Sequence, residues 1–474
     1  MDIQRPETAP QQIISTRASP DLSSGPVRPG PVLILAPHND DEVLGVGGLI
    51  QRHLERDDPV TVVLMTNGDG QYRGPFRNRR RAVRFGYHRQ RETLRALDEL
   101  GLDADQVVFL GYPDRGLARL WNRYWRSDQP YTSPQTGARR SPYANSLTPD
   151  ALYCGSSVIR DLQHLMRAHR PRTIYLPHPN DFHPDHWSTE AFCRYALEGL
   201  KRQRETRDWD DVCLLTYVVH RGRWPLPRGR LFSAELQPPR SLTALDTDWL
   251  KVPLIEDEVR TKHRAILKHR TQVRYMRLYL ESFARANELF GEVPRLQLTR
   301  RVHVADSADR GIAELVSGDG ASSPEASSPI VSYLDPRHRR LLGNLHRYND
   351  IRALHLALED AHRLSIEVEC FERLHPHNQI LVHLKTVDGD DNVPTSWRFL
   401  RTTRGLTLNE QPVERAGISS STGMKTFRLS IPLDDLGSPT AFVVGAELLR
   451  RGLTFAKSAY RLVELTQVPE EIRS

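Results

Sequence analysis

Two hydrophobic periods alternate along the first 300 residues. Short apolar runs at residues 32–36, 60–65, 107–110, 173–176 and 214–219 have the length and β-branched content of strands. Between them apolar positions recur at helical spacing. Val158, Ile159, Leu162, Leu165 and Met166 share one face of a helix that Pro171 stops, and Leu94, Leu97 and Leu100 mark a stripe that Gly101 ends. Strands and helices in alternation predict an α/β layer around a mainly parallel sheet.

Beyond residue 330 the period becomes two. Leu354/Leu356/Leu358, Leu364/Ile366/Val368/Cys370, Ile380/Val382/Leu384 and Phe427/Leu429/Ile431/Leu433 each alternate with polar residues, as half-exposed antiparallel strands do. Turn signals at residues 388–390 and 434–437 separate them, which predicts a β-sandwich. The expected organisation is a disordered leader at 1–29, an α/β domain at 30–300, a Ser/Gly/Ala-rich linker at 301–330 and an accessory sandwich at 331–468.

Composition narrows this picture. A chain of 474 residues with 38% hydrophobic and 26% charged content is globular and long enough for two cores. No segment approaches the roughly 18 consecutive apolar residues of a membrane span. The N-terminal stretch lacks the features of a secretory signal, and Cys154, Cys193, Cys213 and Cys370 suggest neither a disulfide framework nor a metal clip. A cytoplasmic location is expected. The net charge is +7, and only seven of the 66 basic Lys and Arg residues are lysine. The arginines are scattered and no nucleic-acid motif accompanies them, so no nucleic-acid partner is expected. The densest run, residues 73–91, reads as a solvated loop entering a helix or as a patch for an anionic substrate or membrane surface.

The chemistry lies at two strand ends. PHNDDE, residues 37–42, follows the first apolar run, and HPNDFHPDH, residues 178–186, follows the fourth. Open α/β sheets bind ligands at the carboxyl ends of their strands. An Asp-Asp pair there also serves as a dipole-favoured helix N-cap, and His-Pro-Asp alone also makes a turn. Two such clusters together suit a catalytic metal, which takes three N/O ligands and keeps one position open. His38, Asp41 and His186 satisfy that requirement. Asp40 then remains as a general base, and His183 as an acid or oxyanion stabiliser.

With these motifs the chain resembles the PIG-L/LmbE-like zinc-dependent N-acetylglucosaminyl deacetylases over residues 30–295. TNGDG at 66–70, Arg89 and Glu92 as R-x-x-E, FLGYPD at 109–114 and a late helix from Lys262 through KHRTQ toward ANELF carry the likeness further. The resemblance implies a Rossmann-like fold and zinc ligation by His38, Asp41 and His186, although Fe(II) suits the same ligands. It also implies proton transfer by Asp40, support of the tetrahedral intermediate by His183, and sugar contacts from Arg89 and Asp114. The family has proline where this chain has Asn39.

Other residues extend the expected site. Asp185 and Asp181 either orient a histidine from behind or structure the loop. His220 is a candidate sugar contact or, as a lone histidine more often is, a satisfied structural residue. Trp121, Tyr124, Trp125, Tyr131 and Tyr143 form a sugar-stacking wall, or else Trp121 and Trp125, at i and i+4, are the buried face of a short helix. The sandwich either binds glycan or serves packing or dimerisation, so a homo-oligomer is one expectation. The expected activity is removal of an N-acetyl group from an N-acetylglucosamine-containing, possibly anionic, glycan or glycoconjugate. An amino-sugar thiol conjugate and a non-catalytic glycan-binding role are the alternatives.

Overall fold

The computed structural model describes residues 28–72, 78–203, 209–302, 331–335, 349–360, 362–387, 396–413 and 417–469. The expected leader up to residue 27, linker residues 303–330, the turn at 388–390 and residues 73–77 of the arginine run lie outside them.

Seven strands form the first sheet: β1 (Val32–Ala36), β2 (Val60–Thr66), β3 (Val107–Tyr112), β4 (Thr173–Pro177), β5 (Cys213–Tyr217), β6 (Asp248–Pro253) and β7 (Asn287–Glu292). Their order is β3-β2-β1-β4-β5-β7-β6. The first five run parallel, and β7 pairs antiparallel with both β5 and β6. Every residue of β1 is buried, yet its side chains still divide by parity. Leu33 and Leu35 join a core with helices α3 (Leu117–Asn122), α4 (Gly155–His169) and α5 (Pro184–Arg202). Ile34 and Ala36 face the core under α1 (Asp41–Glu55), α2 (Arg79–Glu99), α6 (Glu256–Lys268) and α7 (Arg270–Glu281). Helices therefore cover both faces, as expected.

The order has a functional consequence. The chain steps from β1 outward through β2 to β3, then crosses back to place β4 on the other side of β1, with Val32 opposite Thr173. This reversal is the switch point of an open α/β sheet, where a crevice opens beyond the strands. Both His/Asp clusters lie at its mouth.

Two details differ from the sequence reading. The late helix does not continue into ANELF: it breaks at His269, whose ψ of 60° is non-helical, and Asn287 begins β7. The strand after β7 also crosses the expected division at residue 300, because β8 (Leu296–Val302) pairs with the last strand of the sandwich.

The sandwich comprises β8, β9 (Val331–Leu334), β10 (Ile351–Asp360), β11 (Arg363–Cys370), β12 (Gln379–Val387), β13 (Ser396–Thr402), β14 (Gly405–Leu408), β15 (Gln411–Pro412), β16 (Ser419–Thr422), β17 (Thr426–Pro432), β18 (Ala441–Arg450), β19 (Leu453–Lys457) and β20 (Arg461–Pro469). One sheet runs β16-β17-β11-β10-β9 and the other β15-β14-β13-β12-β18-β20-β8, with β19 beside β18. The four period-two sets meet in one core between the sheets.

β12 is not half-exposed, because its second face packs on the α/β domain. From Ile380 onward every residue is buried, including His383 and Lys385. The Lys385 ammonium lies 4.0 Å from the Trp125 ring centroid and donates to Ser396 Oγ at 2.5 Å. Burial pushes its pKa well below the ordinary lysine value. An unfolded lysine titrates near ~10.4, so between the two values the unfolded chain binds more protons and stability rises with pH. Lys385→Met is expected to remove part of the gain in melting temperature as the pH rises toward about 10. Thermal denaturation of both chains at each pH checks this, and equal gains would refute it.

Candidate metal centre

PHNDDE forms the turn from β1 into α1. Asp40 is the N-cap of α1 and takes a φ of 147°, outside the comfortable range for a residue with a Cβ. Such strain persists only where neighbours over-determine the backbone. Here the Asp40 amide donates to Glu42 Oε2 at 3.0 Å, and Arg89 Nη2 donates to Asn39 O at 2.6 Å. Asn39 itself donates to Thr93 Oγ1 at 3.0 Å, turning its amide toward α2 and away from the crevice.

The second cluster forms the turn from β4 into α5. His183 is the N-cap, its Nδ1 accepting from the Asp185 amide at 3.2 Å, and Pro184 opens the helix without needing a donor. His186 follows in the first turn and points at His38.

Three atoms converge. Asp41 Oδ2 lies 3.1 Å from His38 Nδ1 and 3.0 Å from His186 Nε2, and the two nitrogens are 3.3 Å apart. Bonds of about 2.0–2.1 Å in tetrahedral geometry place ligand atoms ~3.3 Å from one another, so this triangle has the size of three faces-to-one-ion donors. His220 offers a fourth nitrogen: ligand atoms of His38, Asp41, His186 and His220 all fall within 4.8 Å of one another. Its place after a strand suggests a sugar contact or a structural histidine, and not a ligand.

The ring atoms facing away are held by carboxylates. His38 Nε2 lies 3.2 Å from Asp185 Oδ2 and 3.5 Å from Asp114 Oδ1, and His186 Nδ1 lies 3.3 Å from Asp181 Oδ2. These carboxylates are fixed in turn. Asp185 accepts from the Arg115 and Leu117 amides, and Asp181 from those of His183, Val219 and His220. Such outer partners orient metal-bound imidazoles.

Electrostatics test the fit to a cation. Burial opposes charge on His186, but Asp41 and Asp181 outweigh it and raise its pKa to about 9. Burial likewise opposes charge on His38, and bonds to Asp114, Asp185 and Asp41 raise it well above the usual value. Without a metal, the pocket attracts protons into the space between its carboxylates. A divalent cation on the same donors neutralises that excess, and the mixed N/O set suits zinc or another transition metal.

Two groups stand beside the triangle. Burial pushes the Asp40 carboxyl up to about 7, against the pull of Arg89, whose Nη2 is 3.5 Å away. Burial and the neighbouring His38, His186 and His220 push His183 well below its usual range, so it is neutral. Since its Nδ1 accepts, its Nε2 carries the proton.

The expected sugar contacts are less open than sequence suggested. Arg89 is 1% exposed and is held by Asn39 O and Gly68 O, while Asp114, 2% exposed, accepts from the Gly70 amide. Their positions support the turn and the ring of His38. The aromatic wall is corrected: Trp121, Trp125 and Tyr143 are buried, and both tryptophans pack edge-on against Tyr195 beneath the sandwich. Tyr143 donates instead to Asp69 Oδ2 at 2.7 Å. Glu42, given no role by sequence reasoning, holds the Asp40 amide; its place two residues after Asp40 was the available signal.

Parts of the chain are similar to known proteins. Residues 33–197 match the family model described as PIG-L, GlcNAc-PI de-N-acetylase. Over 187 residues the chain is 33% identical to 1D-myo-inositol 2-acetamido-2-deoxy-alpha-D-glucopyranoside deacetylase of Nocardia farcinica, covering 38% of this chain and 55% of that protein. Over 149 residues it is 32% identical to probable N-acetyl-alpha-D-glucosaminyl L-malate deacetylase 2 of Bacillus subtilis, covering 30% of this chain and 65% of that one. The chain thus spans between half and two thirds of the curated relatives it matches. The solved N,N'-diacetylchitobiose deacetylase from Pyrococcus horikoshii shares 19% identity at a TM-score of 0.35, covering 56% of this chain and 83% of that one.

Proposed function

We propose, from the match of residues 33–197 to the PIG-L family model, that the chain is a zinc-dependent hydrolase removing an N-acetyl group from an N-acetylglucosamine-containing glycan or glycoconjugate. The observation that carries this reading is the triangle of His38 Nδ1, Asp41 Oδ2 and His186 Nε2 beside the carboxylate of Asp40, which lies outside the triangle.

His38, Asp41 and His186 hold the metal, with His220 next to them. When bound, the metal supplies Lewis acidity and makes a water easier to deprotonate. Asp40 takes the proton from a water in the crevice as that water attacks the acetyl carbonyl. A base whose pKa lies near 7 both accepts a proton readily and returns it. His183 donates its Nε2–H to the developing oxyanion, a role that needs a neutral ring with a fixed tautomer. Asp40 then returns the proton to the departing amine.

The acceptor side of the substrate lies beyond His220. A cavity of about 760 Å³ there is lined by Phe182, Arg228, Arg274, Tyr275, Arg277 and Tyr279 among others. Arg228 and Arg274, with Arg277 held by Glu281 Oε1 at 3.1 Å, and the aromatic rings favour an acceptor that carries negative charge. Among the described residues, no helix is long and apolar enough to cross a membrane.

The test is release of free acetate from a panel of N-acetylglucosamine glycosides and amino-sugar thiol conjugates. Chelation is expected to abolish release, and zinc to restore it. Preference for the thiol conjugates would move the reading to the alternative amidase. Zinc-loaded protein releasing acetate from neither group would sink it.

A further inference from the structure

α5 is buried around almost its whole circumference: every residue from Asp185 to Leu200 is inaccessible. A helix on the outside of an α/β sheet ordinarily keeps a polar face in water. Here the sandwich covers that face. Trp187, the residue after His186, stacks on Tyr460 with ring centroids 4.9 Å apart and 12° between planes. Lys457 Nζ lies 4.6 Å from the same indole, and Tyr195 donates its hydroxyl to Thr386 O at 2.9 Å.

A second link reaches the loop before α5. Asn180 Nδ2 donates to Asp335 Oδ1 at 2.7 Å across 155 residues of sequence, and the same oxygen accepts from the Ala459 amide at 3.1 Å. Asn180 is fixed further by Arg221 Nη1, which donates to its carbonyl at 2.6 Å, and by its amide, which donates to His178 Nδ1 at 3.1 Å. The next residue is Asp181, the carboxylate behind His186.

We infer that the sandwich is a structural part of the metal centre: Asp335 through Asn180, and Tyr460 through Trp187, are positioning residues that hold the segment from Asp181 to His186 in register for metal ligation. This rests on reading His38, Asp41 and His186 as metal ligands. Neither positioning residue touches a ligand atom. Their effect is on geometry, since a ligand must sit within a few tenths of an ångström of its place for full affinity. Asp181, Asp185 and His186 all belong to one turn and one helix start, so a shift of that segment moves a ligand and two orienting carboxylates together. The sandwich is accordingly not a detachable module.

The test uses the full chain, with zinc as the probe in competition with a chromogenic chelator. Asp335→Ala and Tyr460→Leu are each expected to weaken zinc binding about 3–10-fold, below the ~10–100-fold cost of losing a direct outer partner of a metal ligand, because each acts through an intervening residue. Tyr460→Phe keeps the stacked ring and is expected to bind like the wild type. Asp335→Asn keeps an acceptor oxygen for Asn180 and is expected to recover most of the affinity. If the Asn180 link transmits the effect, Asn180→Ala combined with Asp335→Ala binds zinc no more weakly than the weaker single variant. Far-ultraviolet circular dichroism and melting of the metal-free chains identify any variant that fails to fold; should Asp335→Ala do so, the Tyr460 pair decides. Folded Asp335→Ala and Tyr460→Leu chains binding zinc like the wild type overturn the inference. A wild-type chain that takes up no zinc overturns the ligand reading itself, which is a separate result.

Discussion

Asp40→Asn is expected to lower kcat for acetate release about 10²–10⁴-fold, the usual contribution of a positioned general base. That loss corresponds to roughly 3–5 kcal/mol of barrier. The substitution keeps the shape of the side chain and removes its ability to take a proton. The Asp40 carboxylate is outside the triangle formed by His38, Asp41 and His186, so zinc content is expected to stay as in the parent chain. KM is expected to change little, because the base acts chiefly in the transition state. Steady-state kinetics with elemental analysis on one preparation checks both. A kcat near that of the wild type, or loss of zinc along with activity, would contradict the assigned role.

The second large effect concerns the ligands. His186→Ala is expected to weaken zinc binding by more than the about 10–100-fold typical of an outer partner, and to abolish acetate release. It carries an additional cost in the metal-free chain. His186 is the buried partner of both Asp41 and Asp181, and its neighbourhood holds the Asp181 carboxyl down at about 2. Removing one member of a buried pair typically costs about 3–5 kcal/mol, because the remaining charge keeps its desolvation penalty. The metal-free variant is therefore expected to melt below the metal-free wild type. Full zinc occupancy in a His38→Ala/His186→Ala double variant would exclude this ligand set.

Much of the site is legible along the chain because its parts are local. A histidine three residues before an aspartate at a strand end brings both to one point whatever the rest of the fold does, and His38 with Asp41 is such a pair. Asp185, one residue before His186, instead reaches His38 Nε2 across 147 residues, a contact that only the tertiary structure makes. The tryptophans were ambiguous for an equally local reason. Trp121 and Trp125 present the same i, i+4 spacing whether they face a sugar, a helix or another domain, and only Tyr195 packing against both resolves it. His220 lies beyond β5, and no local pattern shows that it returns to the nitrogens of His38 and His186.

The sequence by itself determined the five parallel strands, the buried stripes of α2 and α4, the inward face of the sandwich strands, and that two strand ends carry clusters of His and Asp. Those properties depend on residues a few positions apart, where side-chain period and turn chemistry act directly. Only the tertiary structure decided that β1 and β4 are neighbours, so that the two clusters become one centre, and that β12 and Tyr460 cover α5. Strand order and domain contact are settled by the packing of surfaces far apart in the chain. A buried lysine at position 385 or an aspartate at 335 has no local signature that separates it from a solvated one.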